Sequence, residues 1–407
     1  MKTTKFKPSE VGPIPEEWEV KALGEVGVFS KGLGVSRSES NSGALPCVRY
    51  GEIYTDYNDY IKEFRSFISE KVAAGAKLMS PGDILFAGSG ETKEEIGKTV
   101  AFLGGVDRAY CGGDILILSP SRGYDSKFLG YVCNSQPIVA QKASRGQGDA
   151  VVHIRSGSLA EVVIPVPPRP EQEKIAEALS DVDALLAAMT KLIEKKRAIK
   201  QGAMQQLLTG KKRLAGFTGK WVEKRLGDVA DFMTATTPTA SIDLRWYIGT
   251  ENMLADKAGV TQNFASVPYK VVREYIKGDV LTSNIRPYLK KIWLADRNGG
   301  CSTDVLVLRT HDRAVCIPEF LVMLVSDDAF FDFAMANAVG TKMPRGDKKV
   351  LVNFEVRLPS VPEQQAIAAV LSDMDAEIAA LEAKLSKYES IKQGMMQELL
   401  TGRTRLM

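Results

Sequence analysis

Several groups of residues in this chain have types and spacings that chemistry could use. Phe86-Ala87-Gly88-Ser89-Gly90 has the form of the F-x-G-x-G turn that brings backbone close to S-adenosylmethionine. No Asn-Pro-Pro-Tyr or Asp-Pro-Pro-Tyr tetrad follows it, and the second half of the chain has Thr282-Ser283-Asn284-Ile285-Arg286 at the matching place, so it reads better as a turn. Gly97-Lys98-Thr99 has the ending of a phosphate-binding loop, but Thr92 stands where the first glycine is required. Asp83, Asp114, Asp279 and Asp304 are possible metal carboxylates for a nuclease, yet each opens an apolar run after a turn, where aspartate bonds locally. With 2 histidines in 407 residues, a multi-histidine metal site and a histidine-dependent triad are disfavoured.

The remaining candidates are polar and basic. Arg145-Gly146-Gln147-Gly148 and Lys342-Met343-Pro344-Arg345-Gly346-Asp347-Lys348-Lys349 occupy corresponding places in the two halves. So do Ser89-Gly90-Glu91-Thr92-Lys93, with Lys98 downstream, and Asn284-Ile285-Arg286-Pro287-Tyr288-Leu289-Lys290-Lys291. Glycine-rich loops with Arg, Lys, Gln and Asn suit close approach to phosphates and base edges. The stretch from Arg145 to His153 reads as longer and more apolar than its counterpart, which makes base contacts there doubtful. Lys+Arg of 53 against Asp+Glu of 50 leaves a net charge of only +3, so nucleic-acid binding must come from such local clusters.

The elements that would position these loops are duplicated. Pro170 to Leu214 returns without a gap as Pro362 to Leu406, identical at about half its positions. Weaker landmarks recur upstream in the same order: Trp18, Leu23 and Gly24 with Trp221, Leu226 and Gly227, then Gly82-Asp83 with Gly278-Asp279, then Cys111 with Cys301. Residues 30–80 and 232–276 share no pattern. The repeated segments carry a 4-3 apolar stripe: Ile175, Leu179, Val182, Leu186, Met189 and Ile193 in one, Ile367, Leu371, Met374, Ile378, Leu381 and Leu385 in the other. Such long helices each need a partner. They are expected to pack on each other as an antiparallel coiled coil, the alternative being that each is buried in its own half.

The expected fold class is α+β. Two mixed α/β domains, 1–168 and 216–360, alternate with helical segments 169–215 and 361–407, and folding back would give pseudo-two-fold symmetry. Short strands are expected at DILFAG, GKTVAFLG and DILILSP and at DVLTSN, KKIWLAD and DVLVLRT, with helices over 125–142 and 318–338. Five cysteines without a C-x-x-C pair argue against a disulfide framework and a zinc ribbon. The absence of an apolar leader near the start and of a long apolar run elsewhere argues for a cytoplasmic protein with no membrane association.

With these motifs in view, the whole chain resembles the specificity subunit of type I restriction-modification enzymes. The resemblance is carried by Ile14-Pro15-Glu16-Glu17-Trp18, by Pro170-Glu171-Gln172 and Pro362-Glu363-Gln364 opening the helices, and by Ile199-Lys200-Gln201-Gly202 through Leu207-Leu208-Thr209-Gly210 with their repeats. Tyr247 to Met253 and Asn284 to Tyr288 resemble one subclass of the family's target-recognition domains, and Gly82 to Phe86 another. The resemblance implies a non-catalytic adaptor, with no cofactor or metal of its own. Each domain would read one half of a split double-stranded DNA site while the helices set the separation. Two modification subunits would dock around the helices, and restriction subunits, ATP-dependent translocase-nucleases, would complete the enzyme; S-adenosylmethionine, ATP and Mg would belong to those partners. Two other readings stand beside it. A fused methyltransferase or nuclease would bind S-adenosylmethionine as the isolated chain, and a coiled-coil assembly protein with globular heads would not bind DNA.

Overall fold

The computed structural model describes residues 5–406. The chain forms two compact units, one built from residues up to Thr190 together with the stretch from Ala383, the other from Lys191–Glu382. Each unit thus combines one globular half, the beginning of the helix that follows it, and the end of the other helix.

The repeated segments are single helices, Arg169–Leu207 and Val361–Leu399, of 39 residues each, or about 58 Å at 1.5 Å per residue. Pro170 and Pro362 fall in the first turn, where a missing N–H costs nothing. Gly210 and Gly402, with φ of +69° and +70°, end the two segments in the left-handed conformation. A Cβ on Gly402 would come within 2.4 Å of Pro15, so only glycine lets the chain turn here.

The expected seam is present in both units, and all 12 stripe residues are buried or half-buried. In the first unit Ile175 and Leu179 join Leu399 and Leu400 in one core with the globular half. In the second, Ile367 and Leu371 join Leu207 and Leu208 in the same way. The start of each helix therefore packs beside the end of the other, the antiparallel arrangement, while its first turns are also buried in its own domain. The Pro-Glu-Gln motif locks this start. Gln172 accepts the Asp125 N–H at 2.9 Å and donates to Pro167 O at 2.9 Å; Gln364 accepts from Ile317 N at 3.0 Å and donates to Pro359 O at 3.0 Å. Glu171 receives Trp18 Nε1 at 3.0 Å and Arg405 at 2.7 and 2.8 Å, and Glu363 receives Arg213.

Each globular half holds two four-stranded sheets. The six apolar runs read as strands form the corresponding sheet in each half: order Thr99–Ala101, Ile84–Ala87, Ile115–Pro120, Gly27–Lys31 in the first, and Ile292–Leu294, Val280–Ser283, Val305–Thr310, Ala230–Phe232 in the second. The other sheet shows where the halves diverge. Ala109–Cys111 pairs parallel to Leu45–Val48 and antiparallel to Lys77–Met79, just as Gly299–Cys301 does with Tyr247–Ile248 and Val271–Tyr275. The fourth strand, however, attaches to opposite edges: Ser66–Ile68 joins Leu45–Val48, whereas Thr236–Pro238 joins Val271–Tyr275. The segments with no alignable pattern thus supply two equivalent strands each and differ in the last.

The helices expected over 125–142 and 318–338 are each broken in two, as Ser126–Cys133 with Gln136–Arg145 and Pro318–Val325 with Asp328–Ala336. In the first case Pro137 starts a new helix, and Asn134 leaves the old one to accept from Thr99 N and donate to Thr99 O. In the second, Asp327 caps the new helix through Ala329 N. All five cysteines are buried and free, and burial raises each thiol to about 12. Among the described residues no helix is long and apolar enough to cross a membrane.

Candidate nucleic-acid interface

In both halves the central strand of the first sheet runs out into a loop that meets a β-arm. In the first half Gly88 N donates to Asp114 O at 2.7 Å and Gly88 O accepts from Ile154 N at 3.0 Å. A Cβ on Gly88 would lie 2.9 Å from Asp114 O and one on Gly90 2.7 Å from the Tyr54 hydroxyl, so these glycines serve close packing of the loop. The arm closes by reciprocal bonds between Gln147 and His153, and pairs with the loop at Gly90 and Ser89. In the second half Asn284 N donates to Asp304 O, Asn284 O accepts from Gly346 N, the arm closes between Val339 and Arg345, and Ile285 bridges Arg345. Gly148 and Gly340, with φ of +112° and +97°, turn the two arms one residue past the stem.

Residue for residue the two arms correspond, Gln147 with Val339 and His153 with Arg345, so they are equal in length. The reading of the first as longer is corrected: alignment on its arginine hid a register that only the stem hydrogen bonds define.

The expected site residues divide by placement. Ser89 is buried, its Oγ hydrogen-bonded to His153 Nδ1 at 2.9 Å, while Thr92 and Lys93 are exposed on the loop. Arg145 and Gln147 lie at the arm and line a cleft of about 370 Å³ with Lys31, Asp114, His153 and Arg155. Lys98 faces elsewhere, donating to Tyr54 O at 3.1 Å in a cleft shared with Asp183 and Lys392; burial pulls its pKa down. In the second half Arg286, Tyr288, Lys342 and Lys349 are exposed, and Arg345 is exposed while paired with Asp304 at 3.1 Å. Arg286 has φ of +50°, held by its N–H to Pro344 O. Asn284 sits beneath it, its Oδ1 buried without a hydrogen-bond partner among the described residues. Lys290 is engaged with Asp328, whose hydrogen bond raises its pKa, Lys291 donates to Thr250 O, and Lys348 is half-buried with a pKa lowered by that burial.

Sequence reasoning missed Lys31 and Arg155, because each lies outside the glycine-rich loops and only the fold brings it to the arm, and it passed over His153 because the stretch that ends there read as longer and more apolar than its counterpart. Their counterparts show how charge is distributed. Two residues past the paired Phe29 and Phe232 stand Lys31 and Thr234; at the helix cap after the arm stand Arg155 and Asp347; two residues before each stem stand Arg145 and Asn337. Conversely, Gly90 and His153 on the first half's loop and arm correspond to Arg286 and Arg345. The first half places its cations around the arm and the second on the arm and loop, so both arms are accompanied by positive charge, carried at different positions of the same frame. The nearby carboxylates serve locally: Asp83 accepts from Ser80 N and Ser119, and Asp279 from Ile276 N and, bidentately at 2.7 Å, from Arg309.

The family described as Type I restriction modification DNA specificity domain matches residues 15–200 and again 218–390. The chain belongs to this family. The DNA specificity domain is therefore present twice, each match spanning a globular half and most of the helix that follows it. Among curated relatives, the Type I restriction enzyme MjaVIII specificity subunit of Methanocaldococcus jannaschii is 22% identical over 100% of this chain and 97% of its own length. The Type I restriction enzyme EcoDI specificity subunit of Escherichia coli is 20% identical over 96% of this chain and 88% of its own. The fold is shared with the crystal structure of a type I restriction-modification system S subunit from M. genitalium, at a TM-score of 0.59 and 16% identity over 94% of this chain and 96% of that one.

Proposed function

We propose that this chain is the DNA-reading subunit of a type I restriction-modification enzyme, with each domain reading one half of a bipartite duplex site through its arm and facing loop. The observation that carries this reading is the paired arms, which share the same stem and loop contacts while different residues carry the cations on or around them. Backbone geometry that repeats while its side chains change is what two readers of different sequences require. The chain itself performs no catalysis and works in the cytoplasm. The two long helices fix the distance between half-sites and dock two modification subunits, which hold S-adenosylmethionine and methylate adenine. Restriction subunits bring ATP- and Mg-dependent translocation and cleavage.

Single-molecule methylation sequencing tests this in a host expressing the chain with its modification subunit, against a host lacking the chain. A new bipartite, asymmetric adenine-methylated motif is expected. A complex that methylates DNA without a bipartite motif would overturn the proposal.

A further inference from the structure

The matched registers of the two arms set up a finer assignment, which rests on the DNA-reading function proposed above. Residues 152 and 344 are buried beneath the arms, as Val152 and Pro344. Side chains alternate along an extended segment, so the next residue in each arm points away from the core. That residue is His153 in one arm and Arg345 in the other, and both are exposed. Each is then steadied by one neighbour. Ser89 Oγ hydrogen-bonds His153 Nδ1 at 2.9 Å, and Ser89 is itself held by the Tyr54 hydroxyl, which donates to its carbonyl at 3.1 Å. Asp304 pairs with both terminal nitrogens of Arg345, Nη1 at 3.1 Å and Nη2 at 3.5 Å.

The steadying contacts use only part of each side chain. The imidazole retains Nε2, which donates or accepts one bond, and the guanidinium, its Nη1–Nη2 end taken by Asp304, retains the Nε–Nη2 edge, two parallel donors that match O6 and N7 of guanine. The surroundings suit a residue that addresses bases: Lys31, Arg145 and Arg155 line the cleft next to His153 and offer charge to the backbone phosphates, while Arg286 and Lys342 are exposed on the loop and arm that carry Arg345.

We infer that His153 and Arg345 fill the same reading position in the two domains, each determining the base at the corresponding place in its own half-site. Both are specificity-determining residues, and neither takes part in methyl transfer.

The test uses the full chain assembled with its modification subunit and reads base preference at every motif position by methylation sequencing, for the wild type, His153→Ala, Arg345→Ala and His153→Arg. His153→Ala should lower discrimination at one position of one half-site by about ten- to a hundredfold, with the other half-site unchanged. Arg345→Ala should do the same in the other half-site, at the same distance from its methylated adenine. His153→Arg should carry the base preference read by Arg345 to the position read by His153. The unaffected half-site reports in every case that the complex is folded and assembled. Preferences unchanged in both alanine variants, or lost at unmatched distances, would overturn the inference while leaving the adaptor function intact. A wild-type complex without a bipartite motif would instead remove the function on which it rests.

Discussion

Glu171 and Glu363 hold the same place in the two repeats, and each accepts from an arginine, Arg405 or Arg213. In the first unit Glu171 accepts from both Trp18 and Arg405, whereas in the second Glu363 accepts from Arg213 and the Trp221 N–H is buried with no partner among the described residues. The lysine–aspartate clasp differs similarly. Lys392 binds Asp183 at 2.7 Å and Asp59 at 2.9 Å, and Tyr131 donates to Asp183 at 2.6 Å. Lys200 and Asp375 form the corresponding pair in the second unit, where Met323 at the position of Tyr131 has no hydroxyl to offer. Exposures of 15%, 7% and 8% for Lys392, Asp59 and Asp183 against 24% and 57% for Lys200 and Asp375 show what the globular half adds. Repeated helices thus carry electrostatics of different strength, because the variable domain sets how far water is excluded.

The largest test of this contrast is Glu171→Ala against Glu363→Ala. Arg405 is 9% exposed and Arg213 27%, so losing Glu171 strands the less hydrated cation as well as the Trp18 N–H. A loss of about 4 kcal/mol is expected for Glu171→Ala and about 2 for Glu363→Ala in urea unfolding; equal losses would break the comparison. Next is the clasp. Lys392→Ala leaves two buried carboxylates facing each other and should cost about 3 kcal/mol, while Lys200→Ala should cost less than about 1. Comparable values would mean that solvent reaches both clasps equally.

The smallest effect concerns Lys142, which is buried on Gly97 O and Thr99 Oγ1 where the second half has the buried Ala334. Burial lowers its pKa to about 8. In the unfolded chain lysine titrates near about 10.4, so between these values the unfolded state binds a proton that the native state lacks, and stability rises with pH. Below that window both states are protonated, so the cost of burying the ammonium is fully present and stability no longer changes with pH through this group. From pH 7 to about pH 9.5 the wild type should therefore gain about 2 kcal/mol over Lys142→Met. A constant difference between the two would place a hydrated, ordinary lysine at this position.

The duplication was legible because Pro170 to Leu214 returns without a gap, and the seam because its residues recur at heptad spacing and spacing alone selects a helix face. The first sheet was legible from runs such as Ile115 to Leu118, apolar throughout because both faces are covered. What escaped depends on contacts distant in sequence. Asn134 breaks a helix by reaching Thr99, and the fourth strand changes edges between halves without any local signal. In the arms, glycine and arginine were visible, but the register pairing His153 with Arg345 exists only in the hydrogen bonds of the stems. Whether a lysine stands exposed or turns onto an internal acceptor, as Lys93 and Lys291 differ, is decided by the fold and not by residue type.

The bond from Arg405 to Glu171 spans 234 residues, and Leu399 and Leu400 complete the core that Ile175 begins. During synthesis the first domain leaves the ribosome long before the residues that close it exist. Its helix waits with an uncompensated glutamate and an open apolar face while the entire second domain is made. Premature termination near residue 382 would accordingly injure the domain made first, and a nascent-chain holdase would find its target in the early half of the polypeptide.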